Sequence, residues 1–234
     1  MYLENPKKFG MLVEQAHQVA LNVLRPISRK YDKAEHAYPK ELDMLASLLD
    51  GMNEGAPGSA GATSATGGSS TSNAGEVKNG SNMSTALGIM EMCWGDVGLL
   101  LAMPRQGLGN AAIAAVANDE QLERFKGTWA AMAITEPNCG SDSAAIRTTA
   151  VKDGDDYILN GEKIYVTSGA RADSVVVWAT LDKNIGRAAI KSFVVKHGTP
   201  GMEIARLEKK LGIKASDTAA INFTDCRVPA ANLL

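Results

Sequence analysis

The sequence predicts an α+β protein: an N-terminal all-α helical domain followed by a small antiparallel β-sandwich or barrel domain. Two observations carry that assignment. Through the first half of the chain apolar residues recur at helical spacing, and from about Thr128 the recurrence shortens to two, the period at which side chains alternate across a strand. The order of elements is the second observation. Helices precede strands, with no βαβ alternation and no glycine-rich turn of the Rossmann type.

The helices follow in order. From Pro6 to Tyr31, residues Met11, Val13, Ala16, Ala20, Val23, Leu24 and Ile27 define an apolar stripe. Pro26 lacks an N–H and crowds the preceding turn, so it is expected to kink or interrupt that run. Pro39 opens a second helix, Lys40 to Leu49, at a position that tolerates the missing donor, and Gly51 is a candidate stop. Apart from Pro57, Gly55 to Gly75 contains only Gly, Ala, Ser, Thr and Asn. Such a segment has nothing large to bury against its ordering entropy, which predicts a flexible insertion over about 53–82. Helical pattern resumes near Met83 and continues to Met103, with Met83, Met90, Met92 and Met103 read as core filling, although an acyl chain would suit the same surface. Gly109 to Ala117 is alanine-rich, and Asp119 to Phe125 reads as a short helix with Asp119 as its cap. The helical domain is expected to span 1–128.

The domain 129–234 holds the strands: Ala131–Thr135, Arg147–Lys152, Asp156–Leu159, Glu162–Thr167, Ser174–Leu181, Ile190–Lys196 and Ala219–Thr224. Turn signals at Asp153-Gly154, Asn160-Gly161 and Pro200-Gly201 punctuate them. Asn160-Gly161 is read as a type I′ hairpin turn, because that turn needs positive φ at both central residues.

Composition excludes several classes. A formal net charge of −2 gives no electrostatic case for nucleic acid or an anionic membrane surface. Contiguous apolar runs such as Leu99 to Met103 are short for a bilayer span, and the N-terminus lacks a basic-then-apolar signal pattern. Cys93, Cys139 and Cys226 are far apart, as are His17, His36 and His197, so neither a disulfide framework nor a metal site is expected. A reducing cytoplasm suits this cysteine usage.

The chemistry-bearing segment is Ile134-Thr135-Glu136-Pro137-Asn138-Cys139-Gly140-Ser141-Asp142, followed by Asn160-Gly161-Glu162-Lys163-Ile164-Tyr165-Val166-Thr167. Tyr165 and Thr167, two apart on a strand, should share a face. An aromatic ring, hydroxyls and free amides gathered in one concavity suit a flat ligand with polar edges and phosphates. Taken singly, each feature also describes an ordinary strand end, turn or half-exposed β surface.

In this order the motifs resemble the acyl-CoA dehydrogenase family, and the resemblance extends through Gly95-Asp96-Val97-Gly98, Lys210-Leu211-Gly212-Ile213 and Ser216-Asp217-Thr218. It implies FAD as cofactor. Met132, Ile134 and Thr135 would line the isoalloxazine, with Met132 standing where relatives often carry an aromatic. Ser141 would lie where the flavin pyrophosphate and the pantetheine of the acyl-CoA substrate approach one another. Tyr165 would pack on the flavin, with Val166 beside it and Thr167 bonded to N5, the hydride acceptor.

The family reaction removes hydrogens from Cα and Cβ of an acyl-CoA thioester, giving a trans-2-enoyl-CoA, as in fatty acid β-oxidation. An electron-transfer flavoprotein or similar acceptor would reoxidise the flavin, and relatives are usually homo-oligomers. The family's base is a glutamate of a C-terminal helical domain, and this sequence ends at Leu234, where that domain would begin. No catalytic residue is therefore assigned, and little or no turnover is expected of the chain alone. Two alternatives stay open. One is a non-catalytic flavin-binding subunit of a hetero-oligomer, and the other is a flavin oxidase or monooxygenase of the same superfamily.

Overall fold

Pro26 shapes the first helical run. The structure is a computed structural model describing residues 7–53, 81–104 and 108–234. Of the flexible insertion expected over about 53–82, residues 54–80 lie outside the described residues, while Asn53 and Ser81–Asn82 at its ends are helical. Helix α1 (Gly10–Val19) passes through a π-helical stretch, Ala20–Leu24, into α2 (Arg25–Lys33). The proline sits in the first turn of α2. The wider π turn just before it accommodates the missing donor and the ring, so the run changes pitch instead of breaking.

Helix α3 (Glu41–Asn53) continues past Gly51, the expected stop. Helix α4 (Ser81–Ala102) breaks at Asp96, whose φ of −171° and ψ of 117° are not helical. There the Asp96 carboxylate accepts from the Leu99 amide at 2.9 Å and from the Ser28 hydroxyl. It therefore caps a second helical segment from inside the bundle. By length and composition alone, Met83–Ala102 could cross a membrane, with a mean hydropathy of 1.3. Individual apolar runs did not suggest this. The capped break, and Gly95 packed so closely that a Cβ would stand 2.8 Å from that of Ala20, mark it as a bundle helix. Its Leu99 joins a core that includes Leu24, Tyr31, Leu42 and Met103. The methionine stripe divides. Met103 is buried and Met92 packs on the core, whereas Met83 and Met90 are exposed, against the reading of all four as core.

Helices α5 (Leu108–Val116) and α6 (Asp119–Arg124) follow. The cap of α6 is Asn118, one residue before the expected Asp119. Its side chain accepts from the Gln121 amide at 2.9 Å, and the Gln121 side chain accepts from the Asn118 amide at 3.1 Å. Only a cap at Asn118 places a glutamine at the third position of the helix, where a capping box needs it.

The chain forms two compact units that do not divide at 128/129. One unit takes the described residues up to Met103 together with Lys210–Ser216, and the other takes Pro104–Lys209 and Asp217–Leu234. Helix α5 belongs with the strands because Asn110 clamps it there: its side chain donates to the Thr128 carbonyl at 2.6 Å and accepts from the Ala130 amide at 2.8 Å. A Cβ on Gly109 would lie 2.2 Å from the Ala131 carbonyl oxygen.

Seven strands form one sheet: β1 (Ala130–Ala133), β2 (Thr149–Asp153), β3 (Asp156–Thr167), β4 (Ser174–Thr180), β5 (Ile190–Lys196), β6 (Met202–Leu207) and β7 (Thr218–Pro229). The order is β1-β4-β2-β3-β7-β6, with β5 also paired to β4. Four ladders are antiparallel, as expected, while β1 and β2 both run parallel to β4, so the sheet is mixed. Side chains from β1 and from β6, at opposite ends of that order, reach the same apolar cluster around Val166, Val177 and Phe193. A flat sheet could not bring its two edges to one core, so this sheet curls around it.

The hairpin expected at Asn160-Gly161 is not there. Strand β3 runs straight through both residues, and the β2–β3 turn lies at Gly154, with φ of 60°. Asn160 instead bonds across to Asp225 of β7, accepting from its amide at 2.8 Å and donating to its carboxylate at 3.1 Å. Gly161, with φ of 152°, occupies a bulge where a Cβ would lie 2.5 Å from the Thr148 hydroxyl. The positive-φ residue was legible, but it serves a bulge and a close approach instead of a turn.

Candidate functional site

The site is organised by a buried ion pair. Lys163, with 0% side-chain exposure, sets its ammonium 2.8 Å from Oε1 of Glu136, itself 6% exposed. The same ammonium donates to the Ile134 carbonyl at 2.9 Å. Glu136 also accepts from the backbone amides of Arg147 at 2.7 Å and Thr148 at 2.9 Å. Burial would raise its carboxyl, but the Lys163 ammonium and those amides outweigh it and hold the group below the usual carboxylate range. Burial pulls the Lys163 ammonium down, and Glu136 opposes that pull. These donors, joined by the Cys139 thiol at 3.8 Å, fix Glu136 as the charged acceptor of this cluster. The turn beyond it closes with Glu136 and Cys139 exchanging backbone hydrogen bonds of 2.9 and 3.2 Å. Burial, then the neighbouring Glu136 charge, pushes the Cys139 thiol up.

Strand β3 answers with a second bulge. Its register against β7 shifts between Lys163 and Val166, where Tyr165 adopts a left-handed φ of 57°. Lys163 and Tyr165 have the same parity, yet Lys163 is fully buried and Tyr165 is 63% exposed. The bulge turns one inward and the other outward. Thr167 is exposed as well, and Val166 between them lies in the core with 0% exposure.

The sequence-derived site residues are placed as follows. The Ile164 amide donates to the Thr135 carbonyl at 2.9 Å, which sets Thr135 beside the Tyr165 bulge. A Cβ on Gly140 would meet the Thr135 methyl at 4.0 Å, so the exposed Ser141 turn starts against the same threonine. Ile134 and Met132 are half-buried, and Met132 pairs with Val176 of β4. Ile134 and Thr135 are therefore tied to β3 through Lys163 and the Ile164 amide, next to Tyr165 in the chain, while Met132 and Ser141 lie nearby along the first segment and Thr167 along β3. Val166 can offer only its backbone. Its side chain belongs to the core.

A cavity of about 430 Å³ opens beside Ile134. Ile146, Trp178 and Ile190 give it apolar walls, Ser143 and Ser192 supply hydroxyls, and Arg187 and Lys191 supply positive charge. An elongated molecule with an apolar part and an anionic end fits that lining. Sequence reading missed these residues and the structural role of Lys163. A signal for the lysine existed: it falls at the inward parity of Tyr157 and Leu159, where a charge demands a buried partner.

Residues 131–226 match the acyl-CoA dehydrogenase middle domain. The acryloyl-CoA reductase (NADH) of Anaerotignum propionicum is 33% identical over 238 aligned residues, covering 96% of this chain and 55% of that protein. The chain belongs to the acyl-CoA dehydrogenase family. It thus spans little more than half the length of that relative. Among solved structures of the family, butyryl-CoA dehydrogenase from Megasphaera elsdenii is 30% identical, with a TM-score of 0.77 over 100% of this chain and 60% of its own. Glutaryl-CoA dehydrogenase from Mycobacterium smegmatis in complex with FADH2 is 26% identical, with a TM-score of 0.76 over 97% of this chain and 55% of its own.

Proposed function

We propose that this chain supplies the flavin- and thioester-facing wall of an FAD-dependent acyl-CoA dehydrogenase, which converts acyl-CoA thioesters to trans-2-enoyl-CoA. One observation carries the reading. Tyr165 is held in a left-handed conformation at a bulge and is exposed, one residue after Ile164, whose amide bonds the Thr135 carbonyl, and two residues before the exposed Thr167. A bulky residue in that region costs about 1–2 kcal/mol, and such strain persists where it aims a side chain at a ligand.

The residues present fit FAD. Met132, Ile134 and Tyr165 offer apolar and aromatic surface to the ring system, Thr135 and Thr167 offer hydroxyls to its polar edge, and Val166 offers backbone. Ser141 is exposed where the dinucleotide and the pantetheine arm would pass. When bound, FAD supplies the hydride acceptor, as cofactors carry the difficult chemistry in such enzymes. Arg187 and Lys191 suit the phosphates of coenzyme A, and the apolar walls beside them suit the less polar part of the same molecule. Glu136 is not the base. It is buried and its oxygens are engaged by the Lys163 ammonium, the Arg147 and Thr148 amides and the Cys139 thiol. An electron-transfer flavoprotein or similar acceptor completes the cycle.

The test is the visible absorption of the purified chain with added FAD, followed by anaerobic addition of acyl-CoAs. A shifted flavin band is expected, and an unshifted band would overturn the assignment. Bleaching by an acyl-CoA would show that a base is available within this chain. The relative covering 96% of the chain carries the name of a reductase, which favours the reverse direction as a second reading. Reoxidation of the dithionite-reduced, flavin-loaded chain by a 2-enoyl-CoA would distinguish it.

A further inference from the structure

A fully buried lysine is an unusual choice where a methionine would fill the same space. Replacing a buried ion pair by apolar residues of similar volume is often neutral or stabilising, so stability alone does not explain Lys163 and Glu136. Geometry does. The Lys163 ammonium grips the Ile134 carbonyl at 2.9 Å, and one residue later the Ile164 amide grips the Thr135 carbonyl at 2.9 Å. Glu136, held by Lys163 and by the Arg147 and Thr148 amides, anchors the far side of the same short segment. These bonds come immediately before Tyr165, at a bulge where the β3–β7 register already shifts. A slip of one residue in a strand exchanges inward and outward side chains. Here it would withdraw the tyrosine ring and bring a core residue to the surface.

We propose that Lys163 is a positioning residue for the flavin: with Glu136 it locks the Ile134–Thr135–Glu136 backbone to β3, so that Thr135 and Tyr165 present one fixed edge to the ring system. The proposal rests on the flavin reading above. Lys163 does not touch the cofactor. It acts through the residues on either side of it.

The test uses the whole chain and three proteins. Lys163→Met with Glu136→Gln removes both charges while keeping volume, and so leaves no buried ion unpaired. It is expected to fold, with a cooperative thermal transition. FAD affinity, followed by quenching of flavin fluorescence, should weaken about tenfold or more, the scale set by loss of a fixed hydrogen-bonding edge. The visible band of the bound flavin should move towards that of free FAD. Val228→Ala, in the core at the other end of the β3–β7 ladder, is the control. It should lower Tm while leaving the flavin spectrum and Kd unchanged. If the double variant matches the parent in Kd and spectrum, the positioning role is overturned and the flavin reading stands. If the parent itself does not bind FAD, the flavin reading falls and this inference falls with it.

Discussion

The two ends of β3 carry the same kind of interaction and do opposite things with it. At the hairpin end Arg227 reaches Asp153 at 2.6 Å and Asp156 at 3.1 Å, with the arginine 53% exposed. At the site end Lys163 and Glu136 sit 2.8 Å apart with 0% and 6% exposure. The hairpin end is regular and could lose its charges without reorganising. The site end is bulged, its ion pair sealed from water and tied to three backbone groups. An ion pair of the first kind is screened and contributes little, and one of the second kind becomes costly when half of it is removed.

Deleting one charge from each end breaks the comparison open. Glu136→Ala strands the Lys163 ammonium and two backbone amides, and should cost about 3–5 kcal/mol in urea unfolding. Arg227→Ala should leave the midpoint within error. A comparable loss at both sites would show that burial is not what separates them. Acid sharpens the same contrast. Because Glu136 is held below its ordinary value of 4.5, its contribution is fully present above pH 4.5 and is lost as pH falls through the lowered folded value. The Lys163→Met/Glu136→Gln variant should lack that acid-labile component in a pH series of unfolding midpoints.

Glycines separate the two ends next. Gly161, with φ of 152°, faces Thr148 so closely that a Cβ would lie 2.5 Å from its hydroxyl and 2.7 Å from its Cα. Gly154, with φ of 60°, has nothing within 4 Å. Gly161→Ala should therefore destabilise by about 3 kcal/mol, combining backbone strain with overpacking. Gly154→Ala should cost about 1 kcal/mol, from backbone strain alone. Equal midpoints in urea would mean that the β3 bulge relaxes freely.

What the sequence made legible follows the same division. Strands that are short, β-branched apolar runs buried on both faces were read to within a residue or two, as at Ile190–Lys196 and Ser174–Thr180, because such runs are a strand signal in themselves. Strand β6 is short, alternates only between half-buried and exposed residues, and shifts register between Ile204 and Arg206, and it is not read as a strand from the sequence. Asn160-Gly161 misled because the residues that favour a turn also favour a bulge, and the choice was made by Asp225 and Thr148, both distant in sequence. Tyr165 and Thr167 are both exposed, with Val166 buried between them. The side-by-side placement of Thr135 and Tyr165 depends on contacts between segments about thirty residues apart, which no local pattern encodes. The motif pointed to the Ile134–Glu136 segment, but not to the buried lysine that bonds it.

The smallest expected effect concerns Tyr165 itself, and its sign matters more than its size. With φ of 57° and 63% exposure, the tyrosine accepts backbone strain and buries little of its ring. Tyr165→Gly removes the steric cost of the left-handed conformation, partly offset by the greater entropy of an unfolded glycine. In the absence of FAD it should raise stability by about 0.5–1 kcal/mol. The same substitution removes the ring offered to the flavin and should weaken FAD binding. A residue held in place for packing would lose stability when truncated. Opposite signs in the two measurements would place Tyr165 among residues kept for function at the expense of the fold. A loss in both would return it to the sheet as an ordinary structural side chain.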